Sequence, residues 1–203
     1  MSQLRNDFAD IDIYLFDQLL RGRIRPGMRV LDAGCGTGRN LVYLLKQGYD
    51  VAGCDHDPVS VETVRALASR LAPQIPAENF RVEAIERLTF PDASADVVLA
   101  SAVLHFASGD RQFEAMVAGL WRVLAPRGLL FARLASSIGI ENEVERVSGR
   151  RFRLPDGTER YLVDEPLLMD LTARLGAELL DPIKTTVVQG QRSMTTWVVR
   201  KNG

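Results

Sequence analysis

Residues 30–40 read VLDAGCGTGRN, and their types and spacing pose a chemical problem. Gly34, Gly36 and Gly38 stand at every second position, just after an apolar run that ends in Asp32. Glycine lets a backbone turn sharply and approach a ligand with no Cβ in the way. A helix that begins after such a turn offers unpaired N–H groups. A second acid, Asp55, closes the next apolar run 21 residues after Gly34. A carboxylate there can take ribose hydroxyls at the mouth of a Rossmann-type crevice. Together the two features point to a nucleotide-like ligand.

The spacing bears on which one. The dinucleotide fingerprint is G-x-G-x-x-G, whereas this chain has G-x-G-x-G, one residue short. Asp32 adds a carboxylate that would repel a pyrophosphate and attract an ammonium or a sulfonium. S-adenosylmethionine carries both cations, with an adenosine ribose for Asp55. The pattern therefore favours it over NAD, and an NAD-dependent oxidoreductase is the less favoured alternative.

Strand-like and helix-like segments alternate around these residues, which predicts an α/β fold with a mostly parallel sheet. An amphipathic helix is expected over about 10–24, with Ile13, Phe16, Leu20 and Ile24 on one face. MRVLDA and YDVAGCD read as strands, followed by helices over about 38–47 and 58–71. NFRVEA, DVVLAS and GLLFARLA read as three further strands, with a helix over about 109–124 before the last. Asp164 and Pro166 open a helix that Gly176 ends. Two strands, about 177–188 and 193–200, flank the short turn Gln189-Gly190-Gln191 and must be antiparallel. Between them and the first half, 136–163 is rich in arginine, with Asp156-Gly157 as a hairpin turn.

At this point the chain resembles the class I S-adenosylmethionine-dependent methyltransferases. VLDAGCGTGRN is similar to their first motif and AGCDHDP to their ribose-binding strand end. LTFPDASADVVLASAVLHF (88–106) and LAPRGLL (124–130) resemble the segments around their fourth and fifth strands, so the likeness spans about 28–134. GRNLVYLLKQGYDV resembles the tellurite-resistance type. The resemblance implies a Rossmann-like seven-stranded, mostly parallel sheet with helices on both faces and a C-terminal antiparallel hairpin. The length of 203 residues predicts one domain over 1–203, with the insertion at 136–163 as a lid.

The same resemblance implies roles. Gly34, Cys35, Gly36 and Gly38 should line the methionine and ribose part of the cofactor, and Asp32 should help hold the methionine amino group. Asp55 should bind the ribose hydroxyls, with His56 beside the adenine. The family often has an acid that contacts the adenine amino group, but that position is Ala84 here. Glu86 and the backbone of Ile85 are the substitutes. Ser101, Ala102 and Val103 should border the transfer site, and S-adenosylhomocysteine would be the product.

Methyl transfer from a sulfonium is an in-line displacement with an activated donor, so alignment and water exclusion matter most. A base is needed only where the nucleophile must lose a proton. His105, just past the fourth strand, is the candidate base, and a packed histidine is the other reading. Tyr14 could close over the substrate or pack in the core. Arg151, with Arg146, Arg150 and Arg153, could attract an anionic substrate or belong to a solvated hairpin.

Composition narrows the acceptor. The 25% charged residues nearly cancel, with net charge -1, so the basic footprint of a nucleic-acid binder is missing. Neither a [DNS]-P-P-[YFW] motif nor a Pro-Cys nucleophile is present. A small molecule is therefore the expected partner. No apolar stretch nears the roughly 20 residues of a membrane span, and a cytoplasmic protein is expected. Cys35 and Cys54 belong to no cysteine–histidine cluster, so no metal site is expected. A cofactor-binding regulatory module without turnover is the main rival to an enzyme.

Overall fold

A computed structural model describes residues 3–203 of the chain. Helices α1 (Gln3–Phe8) and α2 (Ile13–Leu20) precede β1 (Arg29–Ala33), α3 (Val42–Lys46), β2 (Asp50–Asp55), α4 (Pro58–Leu71) and β3 (Phe80–Val82). Then follow β4 (Ala95–Ser101), α5 (Asp110–Val123) and β5 (Leu124–Ala135). Three short strands come next: β6 (Glu145–Ser148), β7 (Arg151–Arg153) and β8 (Glu159–Tyr161). The chain closes with α6 (Glu165–Arg174), β9 (Ala177–Leu179), β10 (Lys184–Val188) and β11 (Arg192–Lys201).

The main sheet runs β3-β2-β1-β4-β5-β11, and β9 and β10 share the outer edge of β11. Strands β1 to β5 pair in parallel, and β11 is antiparallel to β5. Eight strands thus fill seven positions, the mostly parallel sheet with a terminal hairpin that the sequence predicts. Successive side chains alternate between faces, which explains why these strands are apolar throughout. Val97 and Leu99 of β4 pack with Leu41, Leu44, Val61 and Val64 on one face. Val98 and Ala100 pack with Phe113, Leu120 and Trp197 on the other. Helices cover both faces. Asp57 caps α4 by accepting from the Val59 and Ser60 amides at 3.1 Å, and Pro58 occupies its first turn.

Two expectations are corrected. The helix expected over 10–24 runs only over Ile13–Leu20, after the separate α1, and its buried face is Leu15 and Gln18, while Ile13 and Leu20 are 70% and 71% exposed. Asp12 starts a new helix by accepting from the Tyr14 amide at 2.9 Å. Gln18 turns inward because Asp181 accepts its amide at 3.0 Å and Arg23 donates to its carbonyl at 2.8 Å. The strand expected over 177–188 breaks at the same place. Asp181 pairs there with Arg23 at 2.7 Å, and Pro182 has no N–H to offer a ladder.

Strands β6, β7 and β8 form a separate antiparallel sheet. The β7–β8 connection turns at Asp156-Gly157, with the Leu154 amide donating to the Thr158 carbonyl at 2.8 Å. Tyr161 ties this sheet to α5, stacking on Phe113 and donating to Asp110 at 2.8 Å. Among the described residues no helix is long and apolar enough to cross a membrane.

Candidate active site

Strand order reverses at β1, whose neighbours are β2 on one side and β4 on the other. The carboxyl ends of the strands at such a point leave a crevice, and the expected residues gather there. Asp32 lies on β1, Asp55 at the end of β2 and Ser101 at the end of β4. The Asp55 carboxylate accepts the Gly36 amide at 2.9 Å with one oxygen and the Asp57 amide at 3.0 Å with the other.

The three glycines serve different ends. A Cβ on Gly38 would meet Leu67 and Val64 at 2.8 Å, so this glycine lets α4 pack against the turn. A Cβ on Gly34 would strike Val103 at 2.4 Å. Only Gly36, at φ +50°, faces open space. Cys35 turns its side chain inward, its sulfur against Gly53, and presents no side chain to the crevice. Burial raises the thiol pKa of Cys35 and lifts that of Cys54 to about 12, which suits packing and not nucleophilic chemistry.

Asp32 is 1% exposed, and neither carboxylate oxygen has a hydrogen-bond partner among the described residues. Burial lifts its pKa to about 7; the Arg39 guanidinium opposes that rise and Asp55 adds to it. A buried, unpaired carboxylate is costly unless a cation meets it. Its place on β1, just before the glycine turn, suits the ammonium end of S-adenosylmethionine.

A cavity of about 350 Å³ opens from Gly34 and Asp55 toward His56, Ala84, Ile85 and Glu86, with Val103 and Phe106 opposite. His56 stands exposed at its rim, 3.3 Å from Asp55. Glu86 accepts from Gln112 at 2.8 Å. The nearby acid Glu83 is occupied by the Thr89 amide and hydroxyl.

Residues 102–106 separate this cavity from a second one, of about 320 Å³, which Ala102 and His105 line from the other side. His105 is buried, and its Nδ1 accepts the Ala135 amide at 3.2 Å. The ring proton therefore resides on Nε2 when the ring is neutral. Burial, then the charge of Arg160, pulls the imidazole down to about 4. A ring with its Nδ1 occupied and so little affinity for a proton offers Nε2 as a hydrogen-bond donor.

The substrate candidates also move. Tyr14 stands behind the second cavity, its hydroxyl 2.6 Å from the Thr186 hydroxyl on the wall. Arg151 is outside, paired with Glu159 at 2.9 Å. The arginines that line the cavity are Arg133, Arg160 and Arg192. Parity explains the exchange: Arg160 pairs opposite Phe152 in the β7–β8 ladder, so it shows the face opposite to Arg151. Thr186, Val188, Arg192 and Met194 likewise share one face of the C-terminal hairpin, and Ala135 and Arg133 continue it on β5. The alternation along these strands was the available signal. A further group escapes sequence reading: buried Asp12 accepts from Ser101 at 3.2 Å and from Arg133 at 3.1 Å, and Arg39 donates to Ser101 at 3.3 Å.

Residues 31–132 match the methyltransferase domain family. The chain belongs to that family. As a methyltransferase domain it is 33% identical over 121 residues to the uncharacterized methyltransferase YodH of Bacillus subtilis, covering 60% of this chain and 46% of that protein. The chain spans about half the length of the curated relatives it matches. In fold it is similar to a SAM-dependent methyltransferase of Methanosarcina mazei, with TM-score 0.74, 20% identity and coverage of 91% and 97% of the two chains. It is also similar to the 1,6-didemethyltoxoflavin-N1-methyltransferase of Burkholderia thailandensis, solved with bound 1,6-didemethyltoxoflavin and S-adenosylhomocysteine. That TM-score is 0.71 at 21% identity, covering 99% of this chain and 82% of the other. The likeness extends the shared fold over nearly the whole chain, from the helices before β1 to the C-terminal hairpin. The family match contains every candidate from Asp32 to His105 and ends just before Arg133. The first cavity thus belongs to the shared methyltransferase part, while the arginines of the second lie outside the match.

Proposed function

We propose that the chain transfers a methyl group from S-adenosylmethionine to a small-molecule acceptor and releases S-adenosylhomocysteine. The observation that carries this reading is Asp32: a buried carboxylate with no hydrogen-bond partner among the described residues, on β1 just before the glycine turn, calls for a cationic ligand. In this reading Asp32 takes the ammonium and Asp55 the ribose hydroxyls. The open turn at Gly36 receives the ligand, with Gly34 beside it and Cys35 and Gly38 holding the turn from behind. His56, Ile85 and Glu86 flank the adenine, and Ser101, Ala102 and Val103 border the transfer site.

When bound, the cofactor supplies a methyl group already activated as a sulfonium. What remains for the protein is to orient the acceptor and exclude water. The acceptor enters the second cavity, where His105 donates from Nε2. Residues 136–163 act as a lid over one domain that spans 1–203. The buried, unpaired thiols of Cys35 and Cys54 suit a reducing cytoplasm.

The test is incubation of the full chain with methyl-labelled S-adenosylmethionine and a fractionated small-molecule extract. Label is expected in a small-molecule fraction, together with S-adenosylhomocysteine. Tight cofactor binding with no label transferred would favour a regulatory module instead.

A further inference from the structure

The charge balance of the second cavity goes further. Among the arginines of 146–153, each has an acceptor elsewhere: Arg146 the Gly149 carbonyl, Arg150 the Asp164 carboxylate, Arg151 Glu159, and Arg153 both Glu145 and Glu159. The cavity arginines differ. Among the described residues the Arg192 guanidinium has no hydrogen bond and no carboxylate within ion-pair distance, and Asp156 feels its charge only at longer range. Arg160 donates to the Glu159 backbone carbonyl at 2.7 Å and lies over the Phe106 ring, with no carboxylate partner among the described residues. Arg133 reaches Asp12 at 3.1 Å, yet its Nε is buried with no acceptor.

Among the described residues the only acid on the wall is Asp156, whose Oδ1 already accepts the Thr158 amide and hydroxyl at 2.9 and 2.6 Å. Even with Asp12 counted, three guanidiniums face two carboxylates, and the buried neutral His105 adds a donor. Beside these lie Ala135, Leu154, Val188 and Met194, which are apolar. Guanidinium forks match a carboxylate in plane and spacing. We infer that this cavity binds the acceptor as a small organic acid, its carboxylate held among Arg133, Arg160 and Arg192 and its apolar body against Leu154, Val188 and Met194. The inference rests on the methyl-transfer reading and names the class of its substrate. A bound anion also offsets positive charge next to a sulfonium donor.

The experiment is calorimetric titration of the full chain, saturated with S-adenosylhomocysteine, with benzoate, with benzamide and with inorganic phosphate. Benzoate is expected to bind at least about tenfold more tightly than neutral benzamide, which has the same shape, and more tightly than phosphate, which lacks an apolar body. Arg160→Gln and Arg192→Gln should each weaken benzoate about tenfold and leave S-adenosylhomocysteine affinity unchanged, while Arg151→Gln should change neither. Equal binding of benzamide, tighter binding of phosphate, wild-type affinity in both cavity variants, or no binding of benzoate would each overturn the inference. Failure of S-adenosylhomocysteine itself to bind would instead overturn the methyl-transfer reading.

Discussion

The Asp55 carboxylate accepts the Gly36 amide at 2.9 Å, so the acid that ends β2 and the open glycine after β1 form one unit. Asp55 therefore holds the turn in shape, and its second oxygen steadies Asp57 at the start of α4.

Removing either member of that unit should damage cofactor binding. Asp55→Ala strips the acceptor from two backbone amides, and Gly36→Val forces a β-branched residue to φ +50°. Each should weaken S-adenosylhomocysteine binding by at least about tenfold, the scale of a lost charge-assisted hydrogen bond. Gly38→Ala is the contrast, since its Cβ would strike Leu67 and Val64. It should lower the melting temperature more than it lowers the affinity of the folded protein. Calorimetry and thermal melts on the three variants separate these effects.

Asp32 should make cofactor binding depend on pH. Its folded pKa of about 7 lies above the ordinary 3.8, so the ligand-free site holds a proton that a bound ammonium must displace. Affinity should fall as pH drops from 7 to 5.5, and Asp32→Asn should bind weakly at every pH with that slope gone. The stability sign is the reverse of a paired carboxylate's. The folded state holds this proton more tightly than the unfolded chain does. Its contribution therefore favours folding at low pH and is lost as pH rises through about 7. Asp32→Asn should accordingly raise the ligand-free melting temperature at pH 8. A lower melting temperature there would refute the account of Asp32 as an unpaired buried charge.

These features were legible in the sequence because they are local. Asp32, the glycines and Asp55 sit at fixed offsets from strand ends, and spacing alone brings them together. The second cavity was not legible in the same way. Arg160 and Arg192 meet only through the registers of two hairpins distant in sequence, and one residue of parity separates Arg160 from Arg151. The N-terminal helix misled for a different reason. Its buried face is fixed by a polar partner, Asp181, some 160 residues away, which a hydrophobic period cannot reveal.

His105 should not act as a base. With the imidazole pulled down to about 4, the turnover rate should have no limb near pH 6.5 from this residue. His105→Gln, which keeps a neutral donor, should retain kcat within about threefold, well short of the hundredfold or more typical of a lost general base. A limb near 6.5 that vanishes in His105→Gln would restore the base. On stability, a depressed histidine contributes fully above its unfolded value of 6.5, and that contribution is lost as pH falls toward 4. Urea melts between pH 7 and 4 should be less pH-dependent in His105→Gln.

Arg133 should matter for stability as well as for the acceptor. It pairs with Asp12, whose side chain is fully buried, and lies over the Tyr14 ring. Arg133→Met leaves that carboxylate with the Tyr14 amide, Ser101 and a distant Arg39. A loss of about 3 kcal/mol is expected, the scale of a broken buried pair. Adding Asp12→Asn should recover part of it in urea denaturation. No recovery would mean that packing against Tyr14, and not the charge, carries the effect.

The central claim is that the crevice at β1 and β2 reads a cationic methyl donor and not a pyrophosphate. Calorimetric titration of the full chain at pH 7.5 with S-adenosylmethionine and, separately, with NAD measures it most directly. One site for S-adenosylmethionine is predicted, with no detectable heat from NAD. Binding of NAD in place of S-adenosylmethionine would contradict it.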